Sequence, residues 1–151
     1  MKPDKREQIL AKATELFFDK GVASVSMDEI AAAVPVAKMT IYKYFQSKDR
    51  LVGAVMDRYV REQHAIMNQK IEESPDTLSA LASILDYRNM PVIPERFIRE
   101  SLELYPQIVT DLLTYYRTHM HDQLRDLIVR GQEEGVGRRQ RAEQVASNGD
   151  G

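Results

Sequence analysis

MDEIAAAVPVAKMTIYKYFQSKDRL, residues 27–51, is the stretch on which the reading of the chain turns. It opens with a short apolar-faced helix, turns at Pro35, continues as a second short helix over about Lys38 to Phe45, and ends where Ser47 opens a third. That is a helix-turn-helix whose second helix interleaves basic and aromatic residues, the composition of a helix that enters the DNA major groove. Ile41 and Phe45, four apart, predict an inward face, which leaves Lys38, Met39, Thr40, Tyr42, Lys43 and Tyr44 outside. Lys38 suits a phosphate or a guanine edge, Thr40 a thymine methyl or a backbone oxygen, and the two tyrosine hydroxyls phosphates. Met39 reads equally well as a thymine-methyl contact or as a gap-filling methionine. Tyrosines at helical spacing are more often packing residues, and only their place in the ordered set favours DNA.

Upstream, Asp4 with Glu7 reads as a capping box, followed by Ile9, Leu10, Ala13, Leu16 and Phe17 on one face of a helix that Gly21 closes. Ser26 and Glu29 form a second capping box at the start of the next helix. Downstream, Ser47 caps a long fourth helix to about Glu73, with Asp49 in its first turn and Lys48 placed to reach a phosphate. After Ser74-Pro75-Asp76 a helix is predicted with Leu78, Leu81, Ala82 and Leu85 inward. A loop extends through Tyr87 to Pro94, then a helix to Leu104 presents Phe97, Ile98 and Leu102. Pro106 starts a last long helix ending near Gly131 to Gly135. The fold class is all-α: a three-helix DNA-binding head over residues 1–47 and a helical body over 48–135. The polar stretch 136–151 is expected to be a disordered tail.

The net charge of −2 looks wrong for a nucleic-acid binder until it is divided. Residues 1–50 hold nine Lys/Arg against seven Asp/Glu, and residues 51–135 hold nine against fourteen, so a mildly basic end sits on an acidic body. Phosphate attraction depends on the local field, which favours docking by the first end. No cysteine is present, which excludes disulfide scaffolds and cysteine metal sites and is compatible with a reducing cytoplasm. Without a signal peptide or an apolar run of spanning length, the chain reads as a soluble intracellular protein with no membrane role.

Sites for chemistry are missing. None of His64, His119 and His121 has a glutamate three residues before it, and His119 and His121 lie on different sides of a helix, so no metal site is expected. Glu100 and Glu103 share a helical face, which a solvated acidic surface explains better than a catalytic pair. Neither a glycine-rich phosphate loop nor a cofactor motif occurs. An enzyme is therefore not expected.

The ordered set Ile9, Ala13, Leu16, Phe17, Gly21, Ile30-Ala31, Val36, Lys38, Thr40-Ile41-Tyr42, Tyr44-Phe45, Ser47-Lys48-Asp49 and Leu51 resembles the DNA-binding end of the TetR (tetracycline-repressor) family, over about the first third of the chain. The resemblance implies DNA contact by Ser26, Lys38, Met39, Thr40, Tyr42, Lys43, Tyr44 and Lys48. It implies a repressor that holds a palindromic operator as a homodimer and releases it when a small-molecule effector enters the body. Tyr87, Phe97, Tyr105, Leu113, Tyr116 and Met120 are candidate pocket-lining residues, with plain core as their alternative. Three departures stand out. Pro35 replaces the usual turn glycine; Ala37 replaces a capping serine, a loss of about 0.5–2 kcal/mol; and the two further helices that form the family's dimer interface are not expected here, as in a truncated or frame-shifted chain. These departures support an alternative of another class: an effector-binding or protein-interaction module with the same fold and impaired DNA binding.

Overall fold

The structure, a computed structural model, describes residues 2–86 and 92–149. Among the described residues there are seven helices and no strand: α1 (Lys5–Lys20), α2 (Met27–Ala33), α3 (Lys38–Phe45), α4 (Lys48–Glu73), α5 (Thr77–Ile84), α6 (Glu95–Leu104) and α7 (Pro106–Gly149). No described helix is long and apolar enough to cross a membrane. The contacts divide the chain into two compact units, Met1–Gln63 with Pro91–Thr114, and His64–Met90 with Tyr115–Gly151.

The first unit is built on local signals. Asp4 accepts from Glu7 N at 2.8 Å and Ser26 from Glu29 N at 3.1 Å, so both predicted N-caps form. Ile9, Leu10, Ala13 and Phe17 of α1 meet Ile30 and Ala31 of α2, Ile41 and Phe45 of α3, and Leu51, Val52, Val55 and Met56 of α4 in one buried core. Phe97 and Val109 belong to the same core. The boundary expected at residue 47 therefore does not follow the packing. The first two turns of α4 complete the head, and α6 with the start of α7 packs with it. Phe97 lies on Phe18 with ring centroids 5.0 Å apart, and a Cβ on Gly53 would stand 2.8 Å from Ile108 Cγ2, so α4 and α7 approach closely at a glycine. In α6 the inner positions are Phe97 and Ser101, while Leu102, predicted inward, is exposed.

In the second unit Asp76 caps α5, accepting from Ser79 N at 2.8 Å. The predicted inner face of α5 is corrected: Thr77 and Ala80 are buried, whereas Leu78 is 71% and Leu85 68% exposed. The cause is Glu134 of α7, whose carboxylate accepts from Thr77 N at 3.1 Å and from Thr77 Oγ1 at 2.7 Å and so turns that side of α5 inward. These two bonds, the hydroxyl first, hold the Glu134 carboxyl below its ordinary range.

The expectation of a disordered tail from residue 136 is also corrected, since α7 runs unbroken to Gly149. Residues 138–147 are mostly Arg, Gln, Ala and Glu, good helix formers, and extending an existing helix avoids the nucleation cost. Arg138 also reaches Asp76 at 3.6 Å. Gly131, a stop signal by sequence, is instead a close-approach glycine: a Cβ there would meet Thr77 Cγ2 at 3.0 Å.

Candidate nucleic-acid interface

The candidate surface is the outer side of α3 with its flanks, all within the first unit. Ile41 and Phe45 are buried and pin the helix, and the Arg6 guanidinium lies 5.0 Å over the Phe45 ring. Lys38, Met39, Tyr42, Lys43 and Tyr44 are exposed, and Thr40 is half-buried at the edge. Met39 is 79% exposed, a large apolar side chain held in solvent beside the lysines and tyrosines of this face. A merely gap-filling methionine would be covered.

The turn before α3 contains a cis Val34–Pro35 bond and is closed by Val36 N donating to Ala31 O at 2.8 Å. Ala37 occupies the N-cap position, φ −69 and ψ 144, with no side-chain bond to the helix. Ala37→Ser should stabilise the chain by about 0.5–2 kcal/mol, because the backbone is already in cap geometry and only the hydroxyl is lacking. A urea midpoint at or below that of the parent would show that a cap is not what this end lacks.

Lys38 Nζ lies 3.3 Å from Asp28 Oδ2, which ties the start of α3 to the first turn of α2. Both groups are solvent-facing, so the pair orients the ammonium more than it stabilises the fold. Ser26, exposed, is at the opening of α2 with its hydroxyl engaged in the cap. At the other flank Gln46 joins α3 to α4 with φ 69, a left-handed residue that no glycine or asparagine signals in the sequence. Ser47 Oγ accepts from Arg50 N at 3.4 Å, and the Ser47 hydroxyl is the chief cause that lowers the Asp49 carboxyl. Lys48 is half-buried; burial pulls its ammonium pKa down, against the opposing charge of Glu100. It is thus a less open phosphate donor than Lys38 or Lys43.

The candidate pocket residues fall in both units. Phe97 is core and Tyr105 packs against that core in the first unit, where Leu113 is exposed; in the second unit Tyr116 is buried and Met120 exposed. Tyr87 lies outside the described residues. Two cavities among the described residues use other side chains. One of about 260 Å³ in the first unit is lined by Ala11, Thr14, Phe18, Val55, Arg58 and Tyr59 among others, and a groove of about 600 Å³ in the second by Thr77, Leu78, Leu81, Ile128 and Arg138 among others. Tyr116 stands edge-on to His64 with ring centroids 5.3 Å apart, and His64 Nε2 is buried without a hydrogen-bond partner.

Sequence reasoning misses Glu100, whose spacing with Glu103 suggests only a solvated surface. Its Oε2 accepts from Val22 N at 2.5 Å and Ala23 N at 3.0 Å, and its Oε1 from Arg96 Nε at 3.1 Å. These bonds, that from Ala23 first, hold the carboxyl below its ordinary range.

The family model of "Bacterial regulatory proteins, tetR family" matches residues 9–55, from α1 into α4. The chain is similar to the HTH-type transcriptional activator FasR of Mycolicibacterium smegmatis, 32% identical over 83 residues that make up 55% of this chain and 38% of FasR. It is also similar to the uncharacterized HTH-type transcriptional regulator YvaF of Bacillus subtilis, 39% identical over 83 residues, 54% of this chain and 42% of YvaF. The chain thus spans about two-fifths of the length of these relatives. Among solved structures, a TetR-family transcriptional regulator from Agrobacterium tumefaciens superposes with a TM-score of 0.63 at 22% identity, covering 87% of this chain and 73% of that one. AmtR of Mycobacterium smegmatis gives 0.54 at 27% identity, covering 87% and 65%.

Proposed function

We propose that the chain, whose residues 9–55 match the tetracycline-repressor (TetR) family of bacterial regulatory proteins, is a transcriptional regulator, not an enzyme, holding double-stranded DNA with the outer face of α3. One observation carries the reading. A short helix fixed from within by Ile41 and Phe45 displays two lysines, two tyrosines and an uncovered methionine to solvent. Lysine and tyrosine supply phosphate contacts that set the register, and Met39 with Thr40 supplies apolar surface for thymine methyls. Such a protein works in the bacterial cytoplasm.

The finer reading is a homodimeric, ligand-responsive repressor on a two-fold-symmetric operator. One head reads one half-site, so useful affinity calls for a second copy. Leu78, Leu85, Met120 and Ile128, exposed in the second unit, are apolar surface for one to cover. Tyr116 beside His64 is the place we assign to the effector. FasR is named an activator; the sign of regulation depends on where the operator lies, and repression results when it overlaps a promoter. Ala37, which caps nothing, favours a second reading, a module of the same fold with weakened DNA binding.

Fluorescence anisotropy with a duplex from the region upstream of its own gene, at about 50 and 200 mM salt, separates the two. Binding should weaken steeply with salt. Lys38→Ala and Lys43→Ala should each lower the slope of log K against log salt by about one. Salt-independent or absent binding would select the second reading.

A further inference from the structure

We propose that Glu100 is a positioning residue for the DNA-reading head: from α6, its carboxylate clamps the backbone of the turn between α1 and α2 and so fixes where α2 and α3 stand. The proposal rests on α3 being the DNA-binding helix and names a part of the machinery outside the helix-turn-helix.

Three observations converge on it. One Glu100 oxygen accepts from two successive backbone N–H groups, Val22 at 2.5 Å and Ala23 at 3.0 Å. Successive amides aimed at one point form an anion-binding nest, and charge-assisted bonds of this kind are short and strong. The nest exists because Gly21 sits at φ 82 and ψ 173, which swings the following amides to the same side. Gly21 also clears the space, since a Cβ there would stand 2.4 Å from Glu100 Oε2 and 2.7 Å from Arg96 Nε.

The rest of α6 is arranged to hold the carboxylate still. Phe97, three residues earlier on the same face, is fully buried, with its ring near Phe17 and Phe18 of α1. It sets the register of α6 on α1. Arg96 engages the second carboxylate oxygen at 3.1 Å and leaves the first to the turn. The Glu100 side chain is only 15% exposed, so water competes weakly for it. Beyond the turn the chain enters the head itself: Val22 and Val25 are buried in its core, and Ser26 caps α2. α2 and α3 share that core through Ile30, Ala31, Ile41 and Phe45. A shift of the turn is therefore passed to the face that meets DNA.

The test compares the 151-residue chain with Glu100→Ala, Glu100→Gln and Val109→Ala. Val109 is buried in the same core but belongs to α7, not to the turn or to α3, and serves as a control for lost stability. Amide NMR reads the clamp without DNA. The Val22 and Ala23 protons should resonate downfield in the parent, move upfield and exchange faster in Glu100→Ala, and stay near the parent in Glu100→Gln, whose amide oxygen still accepts. Glu100→Ala should weaken duplex binding by about 3- to 30-fold, and Glu100→Gln should recover most of the loss. Val109→Ala should lower the melting temperature with little change in affinity. Unmoved amides, parental affinity in Glu100→Ala, or parallel losses in Glu100→Ala and Val109→Ala would each overturn the assignment. A parent chain without salt-sensitive duplex binding would sink the DNA reading itself, and the amide shifts would still show whether the clamp exists.

Discussion

Phe97→Ala is expected to lower the unfolding free energy by about 3–5 kcal/mol, a large part of the roughly 5–15 kcal/mol that holds a typical domain folded. Phe97 is the one large aromatic of α6 inside the core that α1 to α4 build, fully buried and ringed by Phe17 and Phe18. Truncation removes its transfer energy and leaves a cavity between α6 and α1 that rigid neighbours close only in part. The urea midpoint, read by far-ultraviolet circular dichroism, should fall accordingly with the slope unchanged. Leu104→Ala, on an exposed side of the same helix, should stay within about 0.5 kcal/mol of the parent. A loss under about 1 kcal/mol at Phe97 would mean that α6 is not docked on the head.

The contrast between those two residues shows what a sequence exposes and what it hides. The caps at Asp4 and Ser26, the inward pair Ile41 and Phe45, and the outward lysines and tyrosines of α3 are legible because each is decided within one or two helical turns. Membership of Phe97 in the head's core is not, since α6 arrives there from almost 80 residues further along the chain. The same limit hides Glu100, whose partners Val22 and Ala23 stand 78 and 77 positions away. Periodicity alone makes that carboxylate look solvated.

Glycines mislead for a different reason. A glycine punctuates a helix or admits a neighbour, and local sequence does not distinguish the two. Gly131 has the look of the first and serves as the second, with Thr77 against it. On α5, a hydroxyl and an amide claimed by Glu134 outweigh the apolar period and leave Leu78 and Leu85 outside. For Phe97 and Tyr105 the structure gives the plain-core alternative, since the first lies in the head's core and the second packs against it.

Gly21 combines both roles, and Gly21→Ala is accordingly expected to be among the most damaging of small substitutions. Its backbone, at φ 82 and ψ 173, lies where essentially only glycine is comfortable, and a methyl-bearing residue there costs about 1–3 kcal/mol. The new Cβ would also stand 2.4 Å from Glu100 Oε2, so the carboxylate must withdraw and release Val22 N and Ala23 N. Each released amide that stays buried adds to the loss, by about 1–3 kcal/mol. The two contributions separate in a double-mutant cycle with Glu100→Ala. With the carboxylate already absent, only the flexible Arg96 side chain, whose Nε would stand 2.7 Å from the new Cβ, has to move aside, and Gly21→Ala should then cost little beyond its backbone share, making the pair clearly less than additive. Urea denaturation of the four proteins measures this directly. Strict additivity would mean that Gly21 serves only to end α1 and that the carboxylate is held some other way, whereas a coupling of about 1 kcal/mol or more would tie the glycine, the nest and Glu100 into one device.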